Sequence, residues 1–238
     1  MVENVERVGN FTSSQIYKLM SSGNQEFGFG KPAITYIQEK KIERRLKRSI
    51  SVEKHSRSMS WGKFLEGRVF NLIGLEYDIQ SKSTDEHPTI KGWTGSKDLI
   101  IDGQVVGDIK CFEPKNFALY TDMILAKDVN RFKKEFPAEY WQLISNALIN
   151  QVKKVEAISY MPFASELVTI REMADEYEDE NGNDWKVRWI ADAPNAELPY
   201  LPDGGYYNNL NKFRFDVSLE DEALLTDRVM KAIQILER

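Results

Sequence analysis

Apolar positions recur at helical spacing at both ends of the chain and switch to alternation in the middle, which predicts helices packed around a sheet. Thr12-Ser13-Ser14-Gln15 has the form of a capping box ahead of Ile16, Leu19 and Met20, so a short helix should start there. Gly23 to Gly30, with three glycines, reads as a loop. Pro32 opens a second helix, with Ile34, Ile37, Ile42 and Leu46 inward and Lys and Arg outward. Ser60 caps a third, Trp61 to about Ile73, whose stripe is Trp61, Phe64, Leu65, Val69, Leu72 and Ile73 and whose stop is Gly74.

From Tyr77 to Phe112 the period is two, with turn residues between short β-rich runs, which predicts a small antiparallel meander. Pro137 begins a strong helix through Tyr140, Leu143, Ile144, Ala147 and Leu148. Val155 to Met161 and Glu166 to Met173 read as two further strands. Asn181 to Asn211, rich in Asn, Gly and Pro, reads as an irregular excursion, and Leu219 to Leu236 as a closing amphipathic helix. No internal repeat and no Pro- or Gly-rich linker divides the chain. The expectation is one domain over residues 1–238, of the α/β (α+β) class, with a central mixed β-sheet flanked by helices.

Composition narrows the class. With 42% hydrophobic and 29% charged residues in 238, the chain can bury a core, which excludes disordered and fibrous classes. The single cysteine, Cys111, excludes a disulfide scaffold and a Cys-cluster zinc site, and two histidines leave little for His-based metal binding. A reducing cytoplasm is the expected location. Met1 to Asn10 carries acids and no apolar stretch, and no run approaches 18 apolar residues, so neither a signal peptide nor a membrane span is expected.

A net charge of −5 argues against a nucleic-acid partner, but its distribution argues for one. Lys31 to Arg68 holds eleven bases against four acids, whereas Glu166 to Asp184 holds eight acids and one base, Arg171. These are either two solvated faces of opposite sign, or a surface for a polyanion and a separate acidic surface.

The segment Ser96 to Cys111 carries the candidate chemistry. Two apolar runs meet at Asp102-Gly103, a hairpin signal, with acids where a strand ordinarily takes neutral residues. A two-residue loop puts Asp98 and Asp108 on opposite sides of the sheet; a three-residue loop or a bulge puts Asp98, Asp108 and Lys110 on one face, with Leu99, Ile109 and Cys111 on the other. Two carboxylates and an ammonium make little sense as packing and good sense around a hard cation such as Mg²⁺, which takes one or two protein acids and keeps waters. Lys110 could then orient or deprotonate a water, or stabilise a charged transition state. Otherwise the string is an exposed hairpin with a surface pair. Glu66 borders the apolar face of the third helix and needs a cation or a donor, which could equally be Lys63 or Arg68. Gln142, among Tyr140, Trp141 and Leu143, could bind a metal-bound water or a strand edge.

In combination, Trp61-Gly62-Lys63-x-x-Glu66, then Asp98, then Asp108-x-Lys110-Cys111 ten positions on, then Tyr140-x-Gln142, resembles the PD-(D/E)XK nuclease superfamily. Within it the chain looks most like the phage lambda exonuclease and YqaJ-type viral recombinase family, whose start Arg7-Val8-Gly9-x-x-Thr12-x-Ser14 also resembles. The likeness spans about Arg7 to Met161.

The resemblance implies a restriction-endonuclease-like core and a metal-dependent exonuclease. Such an enzyme would digest one strand of linear double-stranded DNA in the 5′-to-3′ direction and leave 3′ single-stranded tails for recombination. It implies Mg²⁺, with Mn²⁺ as a substitute, held by Asp98, Asp108 and the Ile109 carbonyl; Lys110 acts on the water, and Glu66 and Gln142 complete the site. Arg7 and Ser14 would take a DNA 5′-phosphate. A ring-shaped homotrimer, a single-strand annealing partner and a phage or prophage origin in a bacterial host are likewise implied. A structure-specific or nicking endonuclease, or a catalytically silent DNA-binding accessory protein, are the alternatives.

Overall fold

The computed structural model describes residues 7–51, 56–73, 84–181 and 185–238. The expected helix stop at Gly74, the start of the Tyr77 run and the end of the acidic segment lie outside them. Two small sheets organise the chain. In the first, β1 (Phe11–Thr12) runs parallel to β3 (Trp93–Gly95), and β2 (Asp85–Glu86) pairs with β3 antiparallel. In the second, β4 (Leu99–Ile101), β5 (Val105–Lys110), β6 (Lys154–Tyr160) and β7 (Leu210–Asp216) lie side by side in that order, with only the β5–β6 pair parallel.

Helices cover both faces of the second sheet. On one face α5 (Pro137–Ile149), α1 (Lys31–Leu46) and α8 (Leu219–Leu236) build a core through Ile144, Ala147, Ile37, Leu225 and Val229 against Val106, Val155 and Phe213. On the other, α2 (Arg57–Ile73), α6 (Leu167–Asn181) and α7 (Trp185–Asp192) enclose Trp61, Leu65, Ile170 and Ile190 with Leu99, Ile101 and Ile109. The mixed α/β arrangement matches the expectation, as do the bounds of α8 and the proline start of α5. Among the described residues no helix is long and apolar enough to cross a membrane.

Several elements differ from the expectation. Glu166 to Met173 is not a strand: α6 runs through it, burying Leu167, Ile170 and Ala174 at helical spacing while Val168 stays 63% exposed. The excursion from Asn181 contains α7, a turn of 3₁₀ helix at Asn195–Glu197 and the start of β7. Between β5 and α5 the chain forms two unpredicted helices, α3 (Pro114–Ala126) and α4 (Val129–Glu135), the second capped by the Asp128 carboxylate, which accepts from the Arg131 N–H. Ser13–Met20 is a 3₁₀ helix whose Thr12 side chain makes no cap bond; the Thr12 N–H donates to the Tyr36 hydroxyl instead.

The inner stripe of α1 is Ala33, Tyr36 and Ile37, and its last turns face away from the core: Ile42 and Leu46 are exposed, and Glu43 is the buried residue. At the far end, the buried Arg228 of α8 donates to the Gly28 and Ser21 carbonyls and to Ser22 Oγ, and its guanidinium lies over the Phe29 ring.

Candidate active site

The β4–β5 hairpin decides the geometry. Leu99 pairs with Gly107 and Ile101 with Val105, which leaves Asp102-Gly103-Gln104 as a three-residue turn, with Asp102 and Gly103 at φ 48° and 65°. That length carries Asp98 level with Asp108, the one-face alternative of the two the sequence left open. Leu99 and Ile109 point to the α2 side, and Cys111 packs against the same cluster.

Four side chains meet at the carboxyl end of β5. Gln142, on the second turn of α5, donates through Nε2 to Asp108 Oδ1 at 2.8 Å, and its Oε1 accepts from Lys110 Nζ at 3.3 Å. The Lys110 ammonium lies 2.8 Å from Asp108 Oδ2. Asp98 Oδ2 accepts the Ile109 N–H at 2.8 Å. This amide contact is what the structure shows of Ile109; its carbonyl as a ligand rests on the resemblance.

Glu66 lies on α2. Its charge raises the pKa of both Asp98 and Cys111. Arg68, one of its candidate partners, turns instead to Glu166 at 2.8 Å and to Tyr160.

Burial sets the electrostatics. Asp98 is pushed up to about 7, first by burial and then by Asp108, with Lys110 and the Ile109 N–H working the other way. Burial acts against the charge on Lys110, but Asp108 and Asp98 outweigh it and hold the ammonium above its ordinary value. Lys110 therefore stands as a proton-bearing cation at neutral pH. Burial pushes the Cys111 thiol far up, so it is not a nucleophile.

The residues fit a hard cation. Asp108 is 1% exposed, with Oδ1 accepting from Gln142 and Oδ2 paired to the Lys110 ammonium, so a buried carboxylate is held beside Asp98 by groups that leave it ionised. Among the described residues no three His, Cys, Asp or Glu side chains gather into a closed cage. Two neighbouring carboxylates match the ligand chemistry of Mg²⁺, which takes one or two protein acids.

Two residues that the sequence did not single out stand nearby. Tyr120, on α3, is fully buried, its hydroxyl has no hydrogen-bond partner, and its pKa is raised by burial and then by Asp108 and Glu139. Glu139 precedes Gln142 by one turn of α5 and also acts on Lys110. Neither carries a periodic or motif signal.

The two residues of the candidate anion site each have hydroxyl partners of their own. Arg7 is exposed, donates to Thr84 Oγ1 at 3.1 Å and bonds Ser96 Oγ, which places its guanidinium two residues along the chain from Asp98. Thr84 and Ser96 hydroxyls are 3.3 Å apart. Ser14 is exposed and lies 3.5 Å from Thr12 Oγ1, on the same terminal segment. Thr84 and Ser96, far from Arg7 in sequence, are additions that spacing did not reveal.

No family model and no curated protein matches the chain. Solved structures do. LHK-Exo in complex with dAMP is similar with a TM-score of 0.63 at 16% identity, covering 98% of this chain and 90% of that one. The alkaline exonuclease LHK-Exo from Laribacter hongkongensis gives 0.62 at 15% identity, covering 97% and 89%. A phage-related exonuclease from Haemophilus somnus 129PT gives 0.61 at 14%, covering 96% and 93%. The chain thus has the fold of the alkaline and phage-related exonucleases over nearly its whole length.

Proposed function

We propose that this chain is a Mg²⁺-dependent exonuclease, with Mn²⁺ able to substitute, that digests one strand of linear double-stranded DNA from a 5′ end. The 3′ tails it leaves would pass to a single-strand annealing protein during phage-type recombination in a bacterial cytoplasm. The observation that carries the reading is the convergence of Asp98, Asp108, Lys110 and Gln142 at one strand end, on a fold shared with exonucleases.

The geometry supports a division of labour. Asp98 and Asp108 would hold the cation, which when bound supplies Lewis acidity and a more acidic water. Gln142 fixes Asp108 through Oδ1, and Lys110 lies against Oδ2. Lys110, protonated and wedged between Asp108 and Gln142, is suited to stabilise negative charge growing on the phosphate or to give its proton to the departing oxygen. Arg7, with Ser96 and Ser14, would receive the terminal 5′-phosphate.

Linear and covalently closed duplex, incubated with Mg²⁺ and with EDTA, test the reading. Digestion confined to linear DNA with Mg²⁺ supports it. Cutting of closed circles points to the endonuclease alternative, and binding without hydrolysis to the accessory protein. Arg7→Ala should slow digestion of 5′-phosphorylated ends by the loss of one charge-assisted hydrogen bond, about 1.5–3 kcal/mol, and change 5′-hydroxyl ends little. The homotrimer belongs to the same proposal, and light scattering at micromolar concentration checks it. Head-to-tail attraction between the basic and acidic segments is already partly used within one chain, through Arg68–Glu166.

A further inference from the structure

The proposed end site is built on a short turn: Arg7 is exposed, Gly9 is buried, and the Asn10 N–H donates to the Arg7 carbonyl at 3.3 Å. What fixes that turn comes from α1. Gly9 is buried at φ +71°, and both of its backbone polar groups are taken by consecutive residues of the helix. Its N–H donates to Glu43 Oε2 at 2.9 Å, and its carbonyl accepts from Arg44 Nε at 2.8 Å. Glu43 is 3% exposed and is balanced by Lys40 Nζ at 2.8 Å, so a charge has been buried on a helix whose neighbouring apolar residues, Ile42 and Leu46, are left in water.

Arg44 also reaches a second turn. A Cβ on Gly9 would stand 2.3 Å from Arg44 Cγ, and one on Gly92 would stand 2.9 Å from its Nη2. Gly92 is itself at φ +84° and its carbonyl accepts the Phe11 N–H, so one guanidinium stem lies across the turns that lead into β1 and β3. The first turn carries Arg7; the strand after the second leads to Ser96.

We propose that Glu43 and Arg44 are positioning residues that hold the Arg7 and Ser96 turns in fixed relation, and so set the distance from a bound 5′-phosphate to the bond cut at Asp98 and Asp108. The inference rests on the end-reading role of Arg7 given above. On this basis the basic helix does two separable things: its free cations attract DNA, while Arg44 acts through a hydrogen bond rather than through its charge.

Two substitutions separate these. In Arg44→Gln the side-chain Nε2 stands the same number of bonds from the backbone as Arg Nε, so the donor to Gly9 survives and the charge is lost. In Arg44→Lys the charge survives and the donor at that position is lost. The readout is the ratio of kcat/KM on 5′-phosphorylated over 5′-hydroxyl linear duplex, with Arg7→Ala and Glu43→Gln, which keeps an acceptor for the Gly9 N–H, measured beside them.

The expected result is a loss of preference of roughly three- to tenfold in Arg44→Lys, the range for one hydrogen bond, with the preference kept in Arg44→Gln and Glu43→Gln. The reverse pattern, Gln losing the preference and Lys keeping it, makes Arg44 a phosphate contact and overturns the proposal. Equal slowing on both ends makes Arg44 merely structural and overturns it as well. Should Arg7→Ala itself leave the ratio unchanged, the end-reading role and the positioning role fall together. A changed ratio in Arg7→Ala with none in Arg44→Lys removes the clamp alone.

Discussion

The two faces of β5 are made from alternate residues of one six-residue strand, and they obey different rules. Toward α2 it presents Val105, Gly107 and Ile109, packed with Leu99, Ile101 and Trp61 so closely that Gly107 has no room for a Cβ: the nearest atom, Leu99 Cδ1, would be 2.3 Å away. Toward α5 it presents Val106, then Asp108 and Lys110, whose charges pair with each other while Gln142 bonds both. Burying charge costs desolvation that the apolar face does not incur, so the polar face is the one that packing alone does not explain.

Substitutions on the two faces should therefore fail in different ways. The largest effect is expected on the polar face: Asp108→Ala, Asp98→Ala or Lys110→Ala should lower the Mg²⁺-dependent rate at least about 100-fold while duplex binding in a gel-shift assay persists. A Lys110→Ala protein digesting at the wild-type rate would remove that residue from the chemistry. Next comes Gly107→Ala on the apolar face, where overpacking against Leu99 should destabilise the fold by about 1–3 kcal/mol, read as a Tm lowered by roughly 2 to 10 °C. An unchanged Tm would show that the Leu99 side chain yields.

A smaller effect is expected from Asp98 without metal. Its raised pKa means that the folded state keeps a proton the unfolded chain releases, so its contribution to stability falls as pH rises from about 4 toward about 7. Asp98→Asn cannot titrate, so in EDTA its stability relative to wild type should grow across that window and level off above it. Denaturant melts at pH 4.5, 6 and 8 measure this, and a constant difference would refute it. Smallest at any single salt concentration should be reversal of the exposed Arg45 and Arg48 to Glu, which should weaken duplex binding and make its salt dependence shallower by up to about two units of log–log slope. An unchanged slope would make that end of α1 an ordinary solvated face.

The quartet was legible in the sequence because a strand has only two faces: once the hairpin loop has three residues, Asp98, Asp108 and Lys110 have nowhere else to point. Helix α8 was legible from its amphipathic stripe; the Ser218 cap, which accepts the Asp221 N–H, comes from the structure. Helix α3 was not, because Leu119 and Leu125 stand in water opposite the buried Phe117, Tyr120 and Ile124, leaving no clean stripe to read. In α6 the β-branched run Val168-Thr169-Ile170 imitates a strand, and only burial of Leu167, Ile170 and Ala174 overrides it. The partners of Arg7 lie 77 and 89 residues away, a separation that no local pattern encodes.

The bond from Arg228 to the Gly28 carbonyl joins residues 200 apart along the chain. It gives the molecule an order of assembly. The β4–β5 hairpin uses neighbours in sequence, and its link to α5 through Gln142 and Asp108 spans only 34 residues, so both can form early and fast. The loop from Ser21 to Phe29, which leads into α1, gains its Arg228 contacts only after α8 has been made and docked. Amide hydrogen exchange pulsed during refolding should then protect β5 and α5 first and Gly28 to Phe29 last, so that the chain lays down its buried charged cluster before it finishes the bracket that leads to its basic helix.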